Sequence, residues 1–516
     1  MNEKPKSRWY WRLLRWGLIC LAVLITLAAV LVTEEDWRGK RAWENYKRQA
    51  EARGEHLDWS ALTYTNVPDD QNFAKAPIFA GIYAKEWDEN AGAWKSSRTN
   101  KDDSLQMSPY RSDGSYPDKA GGDWRQARLT RLAVWQDYYR NPKTNGLNEF
   151  PIAPQPQTPA ADVLLALGKY DAAVEELRAA ARRPFGQFGV TNFTDPKGMS
   201  LMLEYLAALK RCSQLLQLRS TAELADNQGA KGLADVELLL RLDDELRQEP
   251  MLIDHLVSVA IHAISLQPLY EGLAQHRWND AQLADLEGAL AAKDFLADYQ
   301  KAIRGEREFA IASMENERIT HEYEIETVDD NGKSKNVSYS LRGTPSAFYY
   351  QSELNFARFA DQYALPLVDL NKRTVSPAEL QRAEAALKGE LKHYNPYKIM
   401  AAETFPAVVT SVEKFAAAQS QTDLALVACA LERCRLAHGG YPETLDALAP
   451  QFIEKLPHDI INGQPLHYRR TNDGLFVLYS VGWNEADDGG QIILNKNGVV
   501  DQKQGDWVWR YPANEK

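Results

Sequence analysis

A glycine-bracketed acidic loop near the carboxyl end of the chain could bind a metal ion. The stretch LYSVGWNEADDGG, residues 478–490, predicts a strand that leads into a loop with three carboxylates. Carboxylate and carbonyl oxygens are the ligands that Ca²⁺ takes, and glycines let a backbone curl around an ion. The spacing matches no strict calcium-loop pattern. An acidic turn closed by the same glycines is therefore the alternative interpretation.

Two histidine-containing motifs could act in metal binding or catalysis, and each also has a structural interpretation. His255 and His262 are seven residues apart in a predicted helix, so they share one face two turns apart. Without a further ligand at the spacing of a zinc helix, they favour core or groove lining. His438 precedes Gly439 and Gly440, as in the oxyanion loop of esterases. These glycines stand where a helix needs a C-cap, and the chain has no G-x-S-x-G elbow.

Two groups of charged residues could supply acid–base chemistry. Residues 304–308, RGERE, form a compact cluster on a predicted helix, which favours a buried or interfacial ion network over an active site. Asp69 and Asp70 in VPDDQNF are adjacent carboxylates, and glycoside hydrolases use a pair of carboxylates. Adjacent side chains point in different directions, however, and the sequence pairs nothing else with them.

Eight aromatic residues between positions 87 and 139 could line a groove for a glycan or a peptide. Core packing is the alternative, because large aromatic side chains dominate protein cores as well as contact surfaces. The set is Trp87, Trp94, Tyr110, Tyr116, Trp124, Trp135, Tyr138 and Tyr139.

An apolar run near the amino terminus predicts a membrane anchor. Residues 16–32, WGLICLAVLITLAAVLV, carry no charge and reach the lower length limit for a spanning helix. Basic residues precede the run and acidic residues follow it, so we expect a cytoplasmic tail at 1–15 and the rest of the chain on the other side. A cleaved signal peptide is the alternative, but its apolar region is usually shorter and ends at small residues.

The charge distribution agrees with this topology and also indicates which classes of partner to expect. Residues 1–15 carry a net charge of +4, which leaves −15 for the remainder of a chain whose total is −11. Nucleic-acid binding rewards basic stripes that contact phosphates. We therefore expect membrane lipid and other proteins as partners, and no nucleic acid.

Composition and periodicity predict a mainly α chain in three parts beyond the anchor. Residues 33–156 should hold a juxtamembrane helix and an irregular, aromatic-rich region. Residues 157–400 should form helical hairpins, and ADVLLALGKYDAAVEELRAAARRP resembles a tetratricopeptide-type pair. A β-hairpin should interrupt them at about 320–342, around Asp329-Asp330-Asn331-Gly332. Residues 401–516 should form an α+β module in which LHYRR and GLFVLYSV pair as a hairpin. In the helical part, one helix should span about 279–312, and the capping box Ser376-Pro377-Ala378-Glu379 should open another.

The last part carries a family resemblance. The order ALERCRLAHGGYPETLDAL, LPHDIINGQPLHYRR, GLFVLYSVGWNEADDGG resembles the globular domain of the major pseudopilin of type II secretion systems, over about residues 405–495. The resemblance implies a long helix followed by an antiparallel sheet. It also implies structural Ca²⁺ with Asp487 and Asp488 as carboxylate ligands, and with loop carbonyls near Ser480 and Asn484.

The whole chain also resembles a set of uncharacterised, membrane-anchored bacterial proteins. The shared marks are DWRGKRAWENYK, VPDDQNFA, RWNDAQLADLE and the same tail. This likeness implies the bacterial inner membrane, a cytoplasmic amino terminus and a periplasmic bulk. A pseudopilin has its membrane helix directly continuous with its head, whereas here a separate helical region intervenes. Polymerisation through the usual helix bundle is therefore not expected.

Two hypotheses for function follow. The first is a non-catalytic scaffold or protein-binding component of the bacterial envelope, linked to secretion or pilus-like machinery. The second is an extracytoplasmic hydrolase of cell-wall glycan or peptide that uses Asp69, Asp70 or acidic groups around Glu306. A deep pocket that joins these carboxylates to the aromatic residues would favour the hydrolase, and shallow helical surfaces would favour the scaffold.

Overall fold

The protein is mainly helical, as its sequence predicts. The computed structural model describes residues 7–59, 67–83, 85–88, 93–96, 105–112, 114–141, 149–188, 196–328 and 334–512. Helices make up 63% of the structure and strands 8%. Small sheets lie in the carboxyl-terminal part of the chain, after a long helical region.

The first helix, α1 (Ser7–Ala52), joins the apolar run to the juxtamembrane segment without a break. No residue of its apolar window is buried against the rest of the protein, which is compatible with a membrane anchor. The hydroxyls of Thr26 and Thr33 donate to the carbonyls of Ala22 and Ala29, so these polar groups are satisfied within the helix. Beyond the run, α1 packs on the rest of the protein.

The helical region consists of short helices near its start and longer ones that follow. Their bounds are α2 Ala80–Tyr83, α3 Leu132–Arg140, α4 Pro159–Leu167, α5 Asp171–Ala180, α6 Pro196–Ala225, α7 Gly229–Arg247, α8 Leu252–Ala274, α9 Asp280–Ala291, α10 Phe295–Thr320, α11 Ser346–Phe359, α12 Pro377–Glu390, α13 Ile399–Thr410 and α14 Val412–His438. A second apolar helix, α8, is largely buried among its neighbours and is a core helix of the fold.

The sequence predicts one helix over residues 279–312, and this prediction is wrong. The chain breaks between α9 and α10, where the carboxylate of Asp294 accepts a hydrogen bond from the Ala297 N–H at 3.0 Å. This side-chain cap starts a new helix. Ser376 caps α12 in the same way, through the N–H of Glu379, as predicted.

Two large apolar cores hold the helices together. One core joins the early segment around Phe73 and Phe79 to α3–α7. The other contains side chains of α8–α14 and of the carboxyl-terminal strands, so it continues across residue 400. The helical region and the carboxyl-terminal region therefore share one core.

The strands form small antiparallel sheets. Their bounds are β1 Lys85–Asp88, β2 Ala93–Ser96, β3 Glu322–Val328, β4 Ser334–Ser340, β5 Val368–Asp369, β6 Thr374–Val375, β7 His467–Arg470, β8 Phe476–Ser480, β9 Ile492–Leu494, β10 Val500–Gly505 and β11 Trp507–Arg510. The predicted hairpin around position 330 is confirmed as the β3–β4 pair, and its turn lies outside the described residues. The β1–β2 pair lies in the region expected to be irregular.

The carboxyl-terminal region begins with α14, which ends at Gly439 as predicted. This glycine has φ +79°, a left-handed conformation that closes the helix. The β7–β8 hairpin is also confirmed, but β11 was not predicted and completes a three-stranded sheet in the order β11-β8-β7. Trp509 of β11 packs against Trp124 and Tyr270, with ring centroids 5.0 and 5.5 Å away. The last described strand thus fastens the sheet to the helices.

Replacing Gly305 with alanine is expected to lower the free energy of unfolding by about 2 kcal/mol or more, because overpacking forces the backbone to shift. A Cβ at this position in α10 would lie 1.8 Å from the carbonyl oxygen of Pro250. The matched control is Gly288→Ala in α9, where a Cβ meets nothing within 4 Å. That change should instead stabilise the helix by about 0.5–1 kcal/mol. Urea unfolding of the detergent-solubilised chain measures both, and equal effects would contradict the close contact.

Candidate functional site

The acidic loop is organised by hydrogen bonds from the protein itself. Asp487 Oδ1 accepts hydrogen bonds from the Gly489 N–H at 2.9 Å and from the Tyr479 hydroxyl at 3.0 Å. The Gly489 N–H lowers the pKa of the Asp487 carboxyl. Asp488 Oδ2 accepts a hydrogen bond from the Asn484 amide at 2.9 Å. Both carboxylates thus have partners that shape a turn.

Two carboxylates that the sequence analysis missed fix the loop to the sheet. Asp506, just before β11, accepts the N–H groups of Asp488, Gly490 and Gln491 at 3.2, 2.6 and 3.2 Å. Burial raises the pKa of Asp506. Asp459 similarly accepts the Ser480 hydroxyl at 3.0 Å and the Val481 N–H at 2.9 Å. No local pattern around Asp506 or Asp459 indicates these contacts, because the partners lie fifteen or more positions away.

These contacts bear on the expected calcium site. Among the described residues, no group of three or more His, Cys, Asp or Glu side chains is arranged to hold a metal ion. Oxygens of Asp487 and Asp488 already accept hydrogen bonds, whereas Ca²⁺ needs 6–8 oxygen ligands. As they stand, the residues do not form such a cage. Binding of Ca²⁺ at Asp487 and Asp488 stays a prediction.

A buried ionic network joins four elements of the helical core; it comprises Asp243, Ser258, His262, Lys293 and Thr422. Lys293 Nζ lies 2.9 Å from Asp243 Oδ2, and the Ser258 hydroxyl donates to the same carboxylate. His262 Nδ1 lies 3.2 Å from Asp243, and its Nε2 lies 2.8 Å from the Thr422 hydroxyl. Burial opposes ionisation of Asp243, but the Lys293 ammonium outweighs it and the pKa of the carboxyl is lowered.

The order Asp–His–hydroxyl in this network is that of a hydrolytic triad, yet no substrate can reach it. All five residues are at most 2% exposed. The Thr422 hydroxyl also donates to the Ala418 carbonyl of its own helix at 2.7 Å. His255, two helical turns earlier on the same face of α8, is also buried, and burial lowers its pKa to about 3. Both histidines therefore belong to the core, in agreement with the structural interpretation of their spacing.

The charged stretch at 304–308 joins α1 to the helical region through an ion cluster, which we call the α1 ion cluster. Arg304 and Arg307 contact the carboxylate of Glu55 at 3.0 and 2.9 Å. Arg307 also lies 2.7 Å from Asp361, which accepts a hydrogen bond from the Tyr46 hydroxyl at 2.6 Å. Burial opposes ionisation of Glu55, but these arginines lower its pKa to about 2. The stretch forms an interfacial ion network, as predicted.

The carboxylates proposed for hydrolysis are not brought together with the aromatic residues. Asp69 and Asp70 lie in an exposed 3₁₀ turn (Asp69–Gln71). Glu306 lies in α10, where burial raises its pKa to about 7. None of these three side chains lines any of the described grooves.

The aromatic set divides between the core and a pocket. Trp124, Tyr138 and Tyr139 are buried core residues, and the side chains at positions 87 and 94 lie outside the described part of the structure. Tyr110, Tyr116 and Trp135 line a pocket of about 390 Å³, which we call the aromatic pocket. Its other side-chain walls come from Thr130, Gln214, Gln217 and Leu218.

A second, larger groove lies between α1 and the helices α10 and α11. Its volume is about 850 Å³, and its lining includes Trp43, Lys47, Glu315, Arg318 and Glu353. Glu353 is fully buried, and neither carboxylate oxygen has a hydrogen-bond partner in the described structure. Burial, with the nearby Glu315 carboxylate, raises the pKa of Glu353 to about 8.

Glu353→Gln is expected to stabilise the protein more as the pH rises. The wild-type folded state keeps a proton on Glu353 that the unfolded state releases above about pH 4.5, so stability falls by about 1.4 kcal/mol per pH unit up to about pH 8. The glutamine variant has no such loss. Urea unfolding at pH 5 and pH 8 measures the difference. Glu379→Gln, at a half-exposed carboxylate of α12, is the control. A gain in the free energy of unfolding that is the same at pH 5 and pH 8 would contradict the burial of an unpaired carboxyl group.

Comparison with known proteins identifies no relative. No family model, no curated protein and no solved structure matches the chain. The function must therefore be inferred from the geometry of the chain itself.

Proposed function

We propose that the chain is a membrane-anchored, extracytoplasmic scaffold of the bacterial envelope that binds other envelope or secretion proteins. One observation carries this proposal: the helix with the exposed apolar run is also a packed element of the folded region. Residues 16–32 would cross the inner membrane once, with the amino terminus in the cytoplasm and the bulk of the chain in the periplasm.

The packing of α1 supports a rigid connection between anchor and folded region. The Asp36 carboxylate accepts a hydrogen bond from the Ala347 N–H at 2.6 Å, at the start of α11. A Cβ at Gly39 would lie 3.6 Å from the Cβ of Ala347, so the two helices touch closely. Trp43 and Ala50 are buried in the same interface. The α1 ion cluster then holds the far end of this interface together.

This arrangement suits a scaffold better than a tethered enzyme. The twenty residues of α1 after the apolar run extend the helix by about 30 Å, at 1.5 Å per residue. Because this part is helical and packed, the folded region would keep one height and one orientation above the membrane. A fixed orientation presents binding surfaces to neighbours in the same membrane, whereas an enzyme that searches for substrate gains from a flexible linker.

The finer architecture is part of the same proposal. We assign residues 401–516 to a pseudopilin-like α+β module, supported by the long α14, its glycine cap and the antiparallel sheet β11-β8-β7. We assign α4 and α5 to a tetratricopeptide-like hairpin, supported by their lengths of 9 and 10 residues on either side of the short segment Gly168–Tyr170. Hydrolysis of cell-wall glycan or peptide has no comparable support, because its proposed carboxylates do not meet at a pocket.

Photo-cross-linking in the native membrane tests the scaffold. A photoreactive residue at Tyr394, which is 85% exposed, should capture the same envelope protein in repeated experiments. The same residue at Leu24, in the apolar run, is the matched control and should capture lipid or membrane helices instead. Capture of only this chain, or of nothing, from Tyr394 and from further exposed positions such as Asp473 would contradict the proposal.

A further inference from the structure

The aromatic pocket is built on α3 and held by a network of tyrosines. Trp135 stacks on Tyr139, with ring centroids 5.9 Å apart, and lies 5.8 Å from the ring of Tyr110. The Tyr139 hydroxyl donates to the Pro109 carbonyl at 2.8 Å, and the Tyr138 hydroxyl donates to the Ser115 carbonyl at 2.8 Å. These bonds hold the loop that carries Tyr110 and Tyr116 against α3. The pocket is therefore preformed.

One polar group in the wall of the pocket lacks a partner. Trp135 is 6% exposed, and its indole Nε1 has no hydrogen-bond partner in the described structure. An unpaired buried donor costs about 1–3 kcal/mol. A ligand that places an acceptor oxygen in the pocket would satisfy this donor.

The remaining polar groups of the pocket are neutral and lie on two other elements. Gln214 and Gln217 are three residues apart on α6, so their amides lie on the same face of the helix. The Thr130 hydroxyl donates its proton to Glu271 at 2.7 Å, which leaves its oxygen free to accept a hydrogen bond from a ligand. Among the described lining residues none carries a charge, in a folded region that is strongly acidic.

We propose that the aromatic pocket binds a neutral saccharide. The exposed ring of Tyr116 would pack on the C–H surface of a sugar ring, beside the wall that Trp135 forms. The indole N–H, the two glutamine amides and the Thr130 oxygen would bind its hydroxyls. A volume of about 390 Å³ lies at the small end of ligand pockets, which span about 300–1,000 Å³ and combine apolar walls with a few polar groups. The described lining residues include no pair of carboxylates of the kind that glycoside hydrolysis uses, and the proposed role is binding.

A proline-rich peptide is the other ligand that aromatic walls can bind, and the lining favours the sugar. Peptides of this kind lie in open aromatic-lined grooves and offer few hydrogen-bonding side chains. Here, four neutral hydrogen-bonding side chains from three elements line one small pocket. That density of neutral donors and acceptors matches a polyhydroxylated ring.

Binding of saccharides to the full chain in lipid nanodiscs tests the proposal without sugar-based detergents. The probes are N-acetylglucosamine, glucose, chitobiose and cellobiose, with glucuronate as a charged sugar and decaproline as the peptide. Saturation-transfer NMR and calorimetry should detect at least one neutral sugar, with weaker binding of glucuronate. Trp135→Phe, which keeps a ring but removes the donor, should weaken binding about 3–10-fold, the effect of one hydrogen bond.

Two exposed tyrosines give a matched pair of variants. Tyr116 is 73% exposed at the pocket and Tyr394 is 85% exposed elsewhere, so neither change to alanine should harm the fold. Tyr116→Ala should weaken sugar binding about 10-fold, as expected when an aromatic contact worth about 1 kcal/mol or more is lost, and Tyr394→Ala should leave it unchanged. The proposal is overturned if no neutral sugar binds, if binding survives both pocket variants, or if decaproline binds there instead.

Discussion

Replacing Lys293 with methionine is expected to lower the free energy of unfolding by about 3–5 kcal/mol, the usual effect of breaking a buried ion pair. The Lys293 ammonium is fully buried and contacts Asp243 at 2.9 Å and Asp244 at 2.8 Å. It also donates to the Leu240 carbonyl at 3.1 Å. Methionine fills similar space but leaves the Asp243 charge in the core without a cation. Urea unfolding of the detergent-solubilised chain measures the loss.

The pH dependence of this loss separates the ion pair from simple packing. Because Asp243 has a lowered pKa in the folded protein, the pair stabilises the fold above about pH 4 and loses its effect as the pH falls further. The difference between wild type and Lys293→Met should therefore narrow in acid. The control is Lys372→Met, whose side chain is 78% exposed beside Asp369 and should cost less than about 1 kcal/mol. Equal losses in the free energy of unfolding from the two variants would contradict a stabilising role for the buried ion pair.

Replacing Arg307 with methionine is expected to cost about 3–5 kcal/mol and to loosen α1 from the folded region. The Arg307 side chain is fully buried, and its nitrogens bridge Glu55 and Asp361. Without it, carboxylates from the end of α1 and from the turn after α11 face each other with one fewer cation between them. Their repulsion acts directly on the interface that holds α1.

A disulfide between α1 and α11 reports this loosening. The double variant Gly39→Cys, Ala347→Cys places its Cβ atoms about 3.6 Å apart, within the range that disulfides use. Oxidation should close this bond rapidly in the otherwise wild-type chain and slowly when Arg307→Met is added. The surface variant Arg38→Met, at an exposed ion pair on α1, is the control and should leave the rate unchanged. An Arg307→Met chain that closes the bond at the wild-type rate would refute the role of the ion cluster.

The features that the sequence predicted correctly are encoded by short stretches. The apolar run, the caps at Ser376 and Gly439, and the β7–β8 hairpin each depend on residues within a few positions of one another. A local pattern is enough when local hydrogen bonds and side-chain periodicity decide the structure. The juxtamembrane helix also belongs here, and no helix-breaking residue separates it from the apolar run.

The features that the sequence did not predict depend on contacts between residues that are far apart in the chain. Asp506 accepts three N–H groups of the loop that follows β8, and Lys293, in the turn between α9 and α10, meets Asp243 of α7. Neither residue type carries a signal in its own neighbourhood, because the partner lies fifteen or more positions away. The same limit applies to the aromatic pocket, where Gln214 and Gln217 of α6 and Trp135 of α3 line one cavity. The sequence identifies the aromatic residues as a set, but it does not show which of them lie in the core and which line the pocket.

Accessibility of single cysteines to a membrane-impermeant maleimide tests the proposed topology most directly. The natural cysteines give little background, since Cys20 lies in the apolar run and the other three are buried. In intact cells with a permeable outer membrane, Tyr394→Cys should be labelled, and Arg12→Cys should be labelled only after lysis. Labelling of Arg12→Cys in intact cells, with Tyr394→Cys protected until lysis, would contradict the membrane-anchored, extracytoplasmic placement and the scaffold function that depends on it.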